Sequence, residues 1–279
     1  MKPAPFTYHA PATLAEALQL MSSLENARAL AGGQSLVPML NFRIVAPDHL
    51  VDLNRISQLS FIRETDGVIT FGAMTRQRDI ETSELVAWRL PLLAEAIKQV
   101  GHRQTRNRGT IGGSLAHLDP AAELPAVATA YEAELHVQSS RGERRLKMPE
   151  FVKGALTTAL EPGELITEVR FRPWPQGHRY AFMEFARRHG DFAIASACTL
   201  VEMKEQKFAR VRLTLGGVAA TPIRVTKTEN ALLNKEPIAE AVKHCGEIEA
   251  LEDPIYPAWY RQKLAVTLAR RALERAISR

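Results

Sequence analysis

Two glycine pairs, each accompanied by small hydroxyl side chains, limit what this chain can become more than any other feature: Ala31-Gly32-Gly33-Gln34-Ser35 and Thr110-Ile111-Gly112-Gly113-Ser114. Each pair follows residues that read as ordered structure and leads into an apolar run, so both are expected to be tight turns that expose successive backbone N–H groups. Such turns bind anions. A buried diphosphate is costly to desolvate, and several N–H donors, at roughly 1.5 to 3 kcal/mol for each hydrogen bond to a charged group, suit it better than one arginine. Glycine is needed because a Cβ would hold the backbone off the phosphate oxygens and would block positive φ angles. Ser35 and Thr110 or Ser114 can add hydroxyl donors. Taken singly, such a pair is more often an ordinary turn than a site. Neither stretch matches Gly-x-Gly-x-x-Gly or the Walker pattern, which counts against a Rossmann fold or a nucleotide triphosphatase.

A chain of 279 residues is comfortable for two domains, and 46% hydrophobic with 24% charged residues is ordinary for a soluble globular protein. No apolar run approaches the roughly eighteen residues a membrane span requires, and Met1 to Thr13 contains no apolar signal core, so a cytoplasmic protein without membrane insertion is expected. The net charge of +5 is spread among acids. Its densest groups are Arg103, Arg106 and Arg108, and Arg141, Arg144, Arg145 and Lys147. No nucleic-acid-binding signature accompanies them, so nucleic acid is not expected as a partner. His117 and Asp119, two residues apart, do not make a metal site. The two cysteines, Cys198 and Cys245, can build neither a disulfide framework nor a cysteine-ligated iron–sulfur cluster. Any such cluster must belong to another polypeptide.

Thr13-Leu14-Ala15-Glu16 has capping-box spacing and opens a helix expected over Leu14 to Ser23. Arg28 to Leu30, His49 to Leu53 and Val68 to Gly72 read as strands, and Pro38 requires the first turn of a helix after the first glycine pair. Pro91 opens a helix expected to reach Val100, Ala121 to Ala133 is helical, and Leu135 to Ser139 with Glu143 to Lys147 forms a hairpin. Glu164 to Phe171 alternates as a strand. Arg172-Pro173-Trp174-Pro175-Gln176-Gly177-His178 is the clearest linker, with Trp174 pinning it. The expected boundary falls there, giving domains at 1–175 and 176–279. Beyond it, Tyr180 to Arg187, Ala193 to Met203 and Ala209 to Val218 predict a three-stranded antiparallel meander, followed by helices over Thr226 to Leu233, Ile238 to Ala250 and Pro257 to Ile277.

The segments Ala31-Gly32-Gly33-Gln34-Ser35-Leu36, with Pro38 and Arg43, and Asn107-Arg108-Gly109-Thr110-Ile111-Gly112-Gly113-Ser114, with Ala116-His117 and Asp119-Pro120-Ala121-Ala122-Glu123-Leu124-Pro125, resemble the two FAD-binding segments of the medium subunit of molybdenum hydroxylases. The family includes bacterial carbon monoxide dehydrogenase, quinoline and nicotine dehydrogenases and the flavin domain of xanthine dehydrogenase. The resemblance extends over essentially the whole chain, through Gly190-Asp191-Phe192-Ala193 to the Tyr260-Arg261 and Arg270-Arg271-Ala272 helix. It implies an α+β fold: a two-subdomain FAD-binding domain of the vanillyl-alcohol-oxidase-like (PCMH) type, then a smaller C-terminal domain with a three-stranded antiparallel sheet and helices. It also implies that Ala31 to Leu36 and Thr110 to Ser114 wrap the FAD diphosphate, that Asp119 lies in the same cofactor region, and that Asp191 and Phe192 lie at the flavin edge. Many relatives have tyrosine at the Phe192 position and several have asparagine at Ser114, so contacts made by those groups are absent here.

By the same resemblance, a large subunit carries the molybdopterin cofactor and a small subunit carries two [2Fe–2S] clusters that feed electrons to this FAD. The heterotrimer acts on a small substrate, with a lean toward N-heteroaromatic compounds, and a dimer of heterotrimers is left open. Two alternatives stand beside this reading: a self-sufficient FAD oxidase or dehydrogenase, and a non-enzymatic module that binds an anionic nucleotide.

Overall fold

The computed structural model describes residues 2–279. Its first layer is a small parallel sheet in which His49–Asp52 lies between Thr7–His9 and Ala27–Leu30. Parallel neighbours need crossover connections. The Leu14–Ser23 helix supplies the first, held at its start by the Thr13 hydroxyl, which accepts the Glu16 N–H at 3.2 Å, and by Glu16, which accepts the Ala12 N–H at 3.0 Å. The Leu36–Asn41 helix lies on the return path. Ala17, Val51, Leu53, Ile56 and Met74 form the core beneath this layer.

The second layer is a five-stranded antiparallel sheet in the order Ile62–Thr65, Val68–Gly72, Leu165–Phe171, Glu134–Ser139 and Gly142–Lys147. Its central strand arrives last in the chain. Six helices, from Gln77–Thr82 to Glu123–Tyr131, lie in the connection between the second and fourth of these strands. Phe71 and Tyr131 meet Phe171 edge-on, with ring centroids 5.5 and 5.7 Å apart.

The third layer is a meander of Arg179–Phe185, Ala195–Lys204, Lys207–Gly216 and Ile223–Arg224. Both faces of its middle are buried, and strand alternation divides the side chains between them. Phe182, Cys198 and Leu200 join the core that contains Phe71, Leu92 and Phe171. Ala181, Ala197 and Val201 face the other way, with Ala265, Leu268, Ala269, Ala272 and Leu273 of the Ala258–Ile277 helix. Alanine on both surfaces lets that helix lie close to the sheet. No helix among the described residues is long and apolar enough to cross a membrane.

Three differences from the sequence expectations have local causes. The helix from Pro91 ends at Ala96, because Arg106 reaches back to take the carbonyls of Val100 and Gly101 at 2.9 and 3.1 Å and holds the following turn open. The helix expected over Ile238 to Ala250 is a four-residue turn, Ile238–Ala241, followed by a 3₁₀ segment, Val242–Glu247; the Thr228 hydroxyl donates to the Ala241 carbonyl at the change. The meander gains a fourth strand, Ile223–Arg224, whose two residues are too few to show a periodicity.

Glu95 ties the first unit to the third layer. Its carboxylate accepts the backbone N–H of Phe182 at 2.9 Å and pairs with Arg275 at 3.2 Å and Arg279 at 2.5 Å. Trp174, only 4% exposed, completes the joint beneath the Arg210 guanidinium, 4.1 Å from its ring centroid. Glu95→Ala is expected to lower unfolding free energy in urea by roughly 2 kcal/mol, because it strands the Phe182 amide and two cations; a loss below about 0.5 kcal/mol counts against the tie.

Two more carboxyl groups, Glu123 and Glu184, form no ion pair among the described residues to offset their burial. Desolvation, opposed only by its backbone hydrogen bond and a distant Arg106, pushes Glu123 up to about 7. Desolvation, then the charge of Glu123, pushes Glu184 up to about 8. The native state therefore holds protons that the unfolded chain releases above the ordinary value of 4.5. Stability is present in full below that value and declines as pH rises through about 7 and 8. The melting temperature is expected to fall between about pH 5 and about pH 8.5, with a smaller fall in Glu184→Gln.

Candidate functional site

After the Ala27–Leu30 strand the chain turns through 31–35 and enters the Leu36–Asn41 helix. Gly33 takes φ of +73°, a conformation that costs glycine little. The helix begins with the Val37 N–H donating to the Gly33 carbonyl at 3.0 Å, and Pro38, lacking an N–H, sits in its first turn where no donor is required. The amides of Gly32, Gly33, Gln34 and Ser35 find no acceptor among the described residues. Four successive donors at one turn form an anion-binding concavity.

The second glycine pair is built differently. Instead of the expected tight turn, Gly112 and Gly113 lie in the opening turn of the Ile111–His117 helix. Thr110 caps it: its hydroxyl accepts the Gly113 N–H at 3.0 Å, and its carbonyl accepts the Ser114 N–H at 3.1 Å. The Ile111 and Gly112 amides donate to Thr75 and Ala73 at 3.1 and 2.9 Å. All four donors are thus committed within the chain. The Ser114 hydroxyl makes no hydrogen bond among the described residues, and Arg108, exposed, forms no ion pair there.

The two segments touch. A Cβ on Gly32 would fall inside contact distance of the Arg108 carbonyl and the Gly109 Cα, and one on Gly113 would lie 3.3 Å from the Ala31 Cβ. Two side chains that the sequence reading missed strap them together. Asn54 donates to the Ala31 carbonyl at 3.0 Å, and Arg76 donates to the Asn54 side-chain oxygen at 2.5 Å and to the Arg108 carbonyl. Burial, then the nearby Arg108 cation, hold Arg76 below the ordinary arginine value. Nothing local in the sequence marks either residue, since each acts across a tertiary contact.

A recess of about 390 Å³ opens between Gly32, Gly33, Gln34 and Arg108. A second cavity, of about 500 Å³, brings Asp119 and Phe192 together with Gly217, Tyr256 and Arg261. Asp119 is oriented by the Ala121 N–H, which donates to it at 2.8 Å, and lies 3.9 Å from the His117 ring nitrogen. Phe192 is 68% exposed at the cavity mouth. Arg261 braces the wall, donating to the carbonyls of Ile194 and Gly217 at 2.6 Å each and pairing with Asp253 at 2.6 Å. The backbone amides of Tyr256 and Ile255, then Arg261, hold the Asp253 carboxyl below its usual range. Asp191 is exposed in the turn before Phe192, where its N–H donates to the Arg188 carbonyl at 3.1 Å, and it does not line this cavity.

Residues 4–174 match the family model of the FAD binding domain in molybdopterin dehydrogenase, and residues 180–276 match that of the CO dehydrogenase flavoprotein C-terminal domain. The chain belongs to the FAD-binding medium-subunit family of the molybdenum hydroxylases. Among curated relatives, subunit alpha of the 6-hydroxypseudooxynicotine dehydrogenase complex of Paenarthrobacter nicotinovorans is 42% identical, covering 100% of this chain and 97% of the relative. The solved structure of reconstituted CO dehydrogenase from Oligotropha carboxidovorans superposes with a TM-score of 0.97 at 37% identity, covering 100% of both chains. Quinoline 2-oxidoreductase from Pseudomonas putida 86 gives 0.95 at 35% identity, covering 100% of this chain and 99% of that one. This membership favours a medium subunit over a self-sufficient oxidase.

The cradle fits the diphosphate of FAD: it offers unpartnered amides at a position where a side chain has no room, beside a free arginine. Gly32→Ala is expected to drive the two segments apart and weaken FAD binding at least about tenfold, or about 1.4 kcal/mol, in fluorescence titration, with the far-ultraviolet circular dichroism unchanged. Arg76→Met is expected to weaken it in the same direction by unfastening the strap. Native affinity in both variants would refute the clasp.

Proposed function

We propose that this chain carries FAD as the electron-transfer subunit of a heterotrimeric molybdenum hydroxylase. The four-amide cradle of 32–35, clasped against the second glycine segment, is the observation that carries the reading. When bound there, FAD supplies a two-electron store between the [2Fe–2S] clusters of a small partner subunit and an external acceptor, while the molybdopterin cofactor resides in a large partner subunit. Cys198 and Cys245 are both buried and unlinked, in keeping with clusters that lie in another polypeptide.

In this reading the chain positions and insulates the cofactor. Ala31 to Leu36 hold the diphosphate through backbone N–H groups. Thr110 to Ser114 form the wall behind it, with Ser114 free to add a hydroxyl. Asp119 and Phe192 flank the ring end, with Asp191 in the exposed turn that precedes Phe192. The division of labour between the pairs is unequal, since only the first has amides to give.

The reading includes a PCMH-type FAD-binding domain at 1–175 and a C-terminal domain at 176–279. The interval between the two family matches, and the proline-rich segment within it, support that division. A cytoplasmic setting belongs to the same proposal, supported by two thiols kept free. The 6-hydroxypseudooxynicotine and quinoline enzymes among the relatives support an N-heteroaromatic substrate, chosen in the large subunit.

The test is to purify the full chain alone. It is expected to show flavin absorption, or to acquire it with added FAD at one per chain, and to leave quinoline and nicotine unchanged in the presence of a dye acceptor. A colourless protein that refuses FAD, or turnover by the isolated chain, would overturn the proposal.

A further inference from the structure

Beneath the cavity shared by Asp119 and Phe192 lie the two carboxyl groups that the electron path does not use. Glu123 stands four residues after Asp119, in the first turn of the Glu123–Tyr131 helix, and is 6% exposed. Glu184 lies on the Arg179–Phe185 strand opposite Ser196, and its Oε2 is buried with no hydrogen-bond partner among the described residues. The elements that carry the pair are joined to the cavity wall at Pro120 and Gly217. The Pro120 carbonyl accepts the Gly217 N–H at 2.8 Å, and Gly216 packs against Ser196 and against Ala126, one turn along the same helix from Glu123.

Few charges face the pair. Asp119 and Arg106 act on Glu123, Glu123 acts on Glu184, and the buried Cys198 thiol feels both carboxyls. Arg106 is engaged by Glu81 in a two-pronged ion pair, at 2.9 and 3.1 Å, which leaves Glu123 largely uncompensated. A buried carboxylate without a cation is costly, so such a group keeps its proton until the pH is high, and a further negative charge nearby makes it hold that proton more tightly.

We propose that Glu123 and Glu184 form a redox-linked proton site, which binds a proton from water on a carboxylate oxygen when electrons reach the Asp119-lined cavity and releases it when they leave. The inference rests on the reading that places the flavin in that cavity. The electrons enter the cofactor from the partner's clusters, and the proton forms an O–H bond on a glutamate, so the positive charge offsets part of the arriving negative charge and no covalent bond of the protein breaks. Burial pushes the pair up to about 7 and about 8, so its occupancy responds across the neutral range.

The test uses the full chain in two forms. Without FAD, infrared difference spectra taken from about pH 6 to about pH 9 are expected to contain carboxylic-acid C=O absorption that vanishes on raising the pH and is weakened in Glu184→Gln and in Glu123→Gln. Unchanged absorption in both variants would overturn the assignment of these protons to the pair. With FAD bound, the flavin midpoint potential of the wild type is expected to fall more steeply with pH near neutrality than on either side. Glu184→Gln and Glu123→Gln should each lose that steeper stretch. Coincident curves in all three proteins would overturn the coupling. A chain that takes up no FAD would defeat the cofactor reading and the coupling with it, while the infrared arm would still decide whether the two carboxyls hold a proton.

Discussion

The missing Cβ at Gly32 is the constraint on which the site depends. It permits the backbone after the Ala27–Leu30 strand to lie directly against the Arg108 carbonyl and Gly109. Everything nearby follows from holding that contact. The strap from Ala31 through Asn54 and Arg76 to Arg108 converts two loops into one rigid unit, and the capped helix behind them has used its own amides to fasten itself to Ala73 and Thr75. The donors left over are those of 32–35. A ligand meeting them requires no rearrangement of the backbone, which is how preorganised donors gain affinity.

The C-terminal layer is fastened to this unit by a sheet buried on both faces. Phe182, Cys198 and Leu200 belong to the core of the FAD-binding part, while their neighbours belong to the core under the last helix. That arrangement places Phe192 and the Arg261-braced wall opposite Asp119 and gives the larger cavity one side from each part of the chain. It also accounts for Glu123, buried, and Glu184, half-buried with its Oε2 enclosed, which lie where the two parts close. Their raised proton affinity is a consequence of that closure, and a carboxyl on the surface of either part alone would be ionised at neutral pH.

Local patterns in the sequence were readable where the physics is local. The helix at Leu14–Ser23 is announced by its Thr13 cap, and the Leu165–Phe171 strand by alternation. Features decided by distant partners were not readable. The helix from Pro91 stops early because of Arg106, and the two-residue strand at Ile223–Arg224 exists only as the partner of Lys207–Gly216. The second glycine pair looked like a turn because the reason for glycine at Gly112 is Ala73, far away in the chain. Asn54 and Arg76 carry no motif at all.

The sequence by itself determined the family, the two glycine segments and the absence of enough cysteines for a cluster, because these reside in residue identity and spacing. Only the tertiary structure decided which of the two glycine segments has amides to offer, and that Leu165–Phe171 inserts between two strands that both precede it in the chain. The same holds for the proton affinity of Glu123 and Glu184. A hydrogen-bond donor is available only if no acceptor reaches it, and a carboxyl is buried only when two surfaces close over it. Both conditions belong to the assembled chain and to no stretch of it alone.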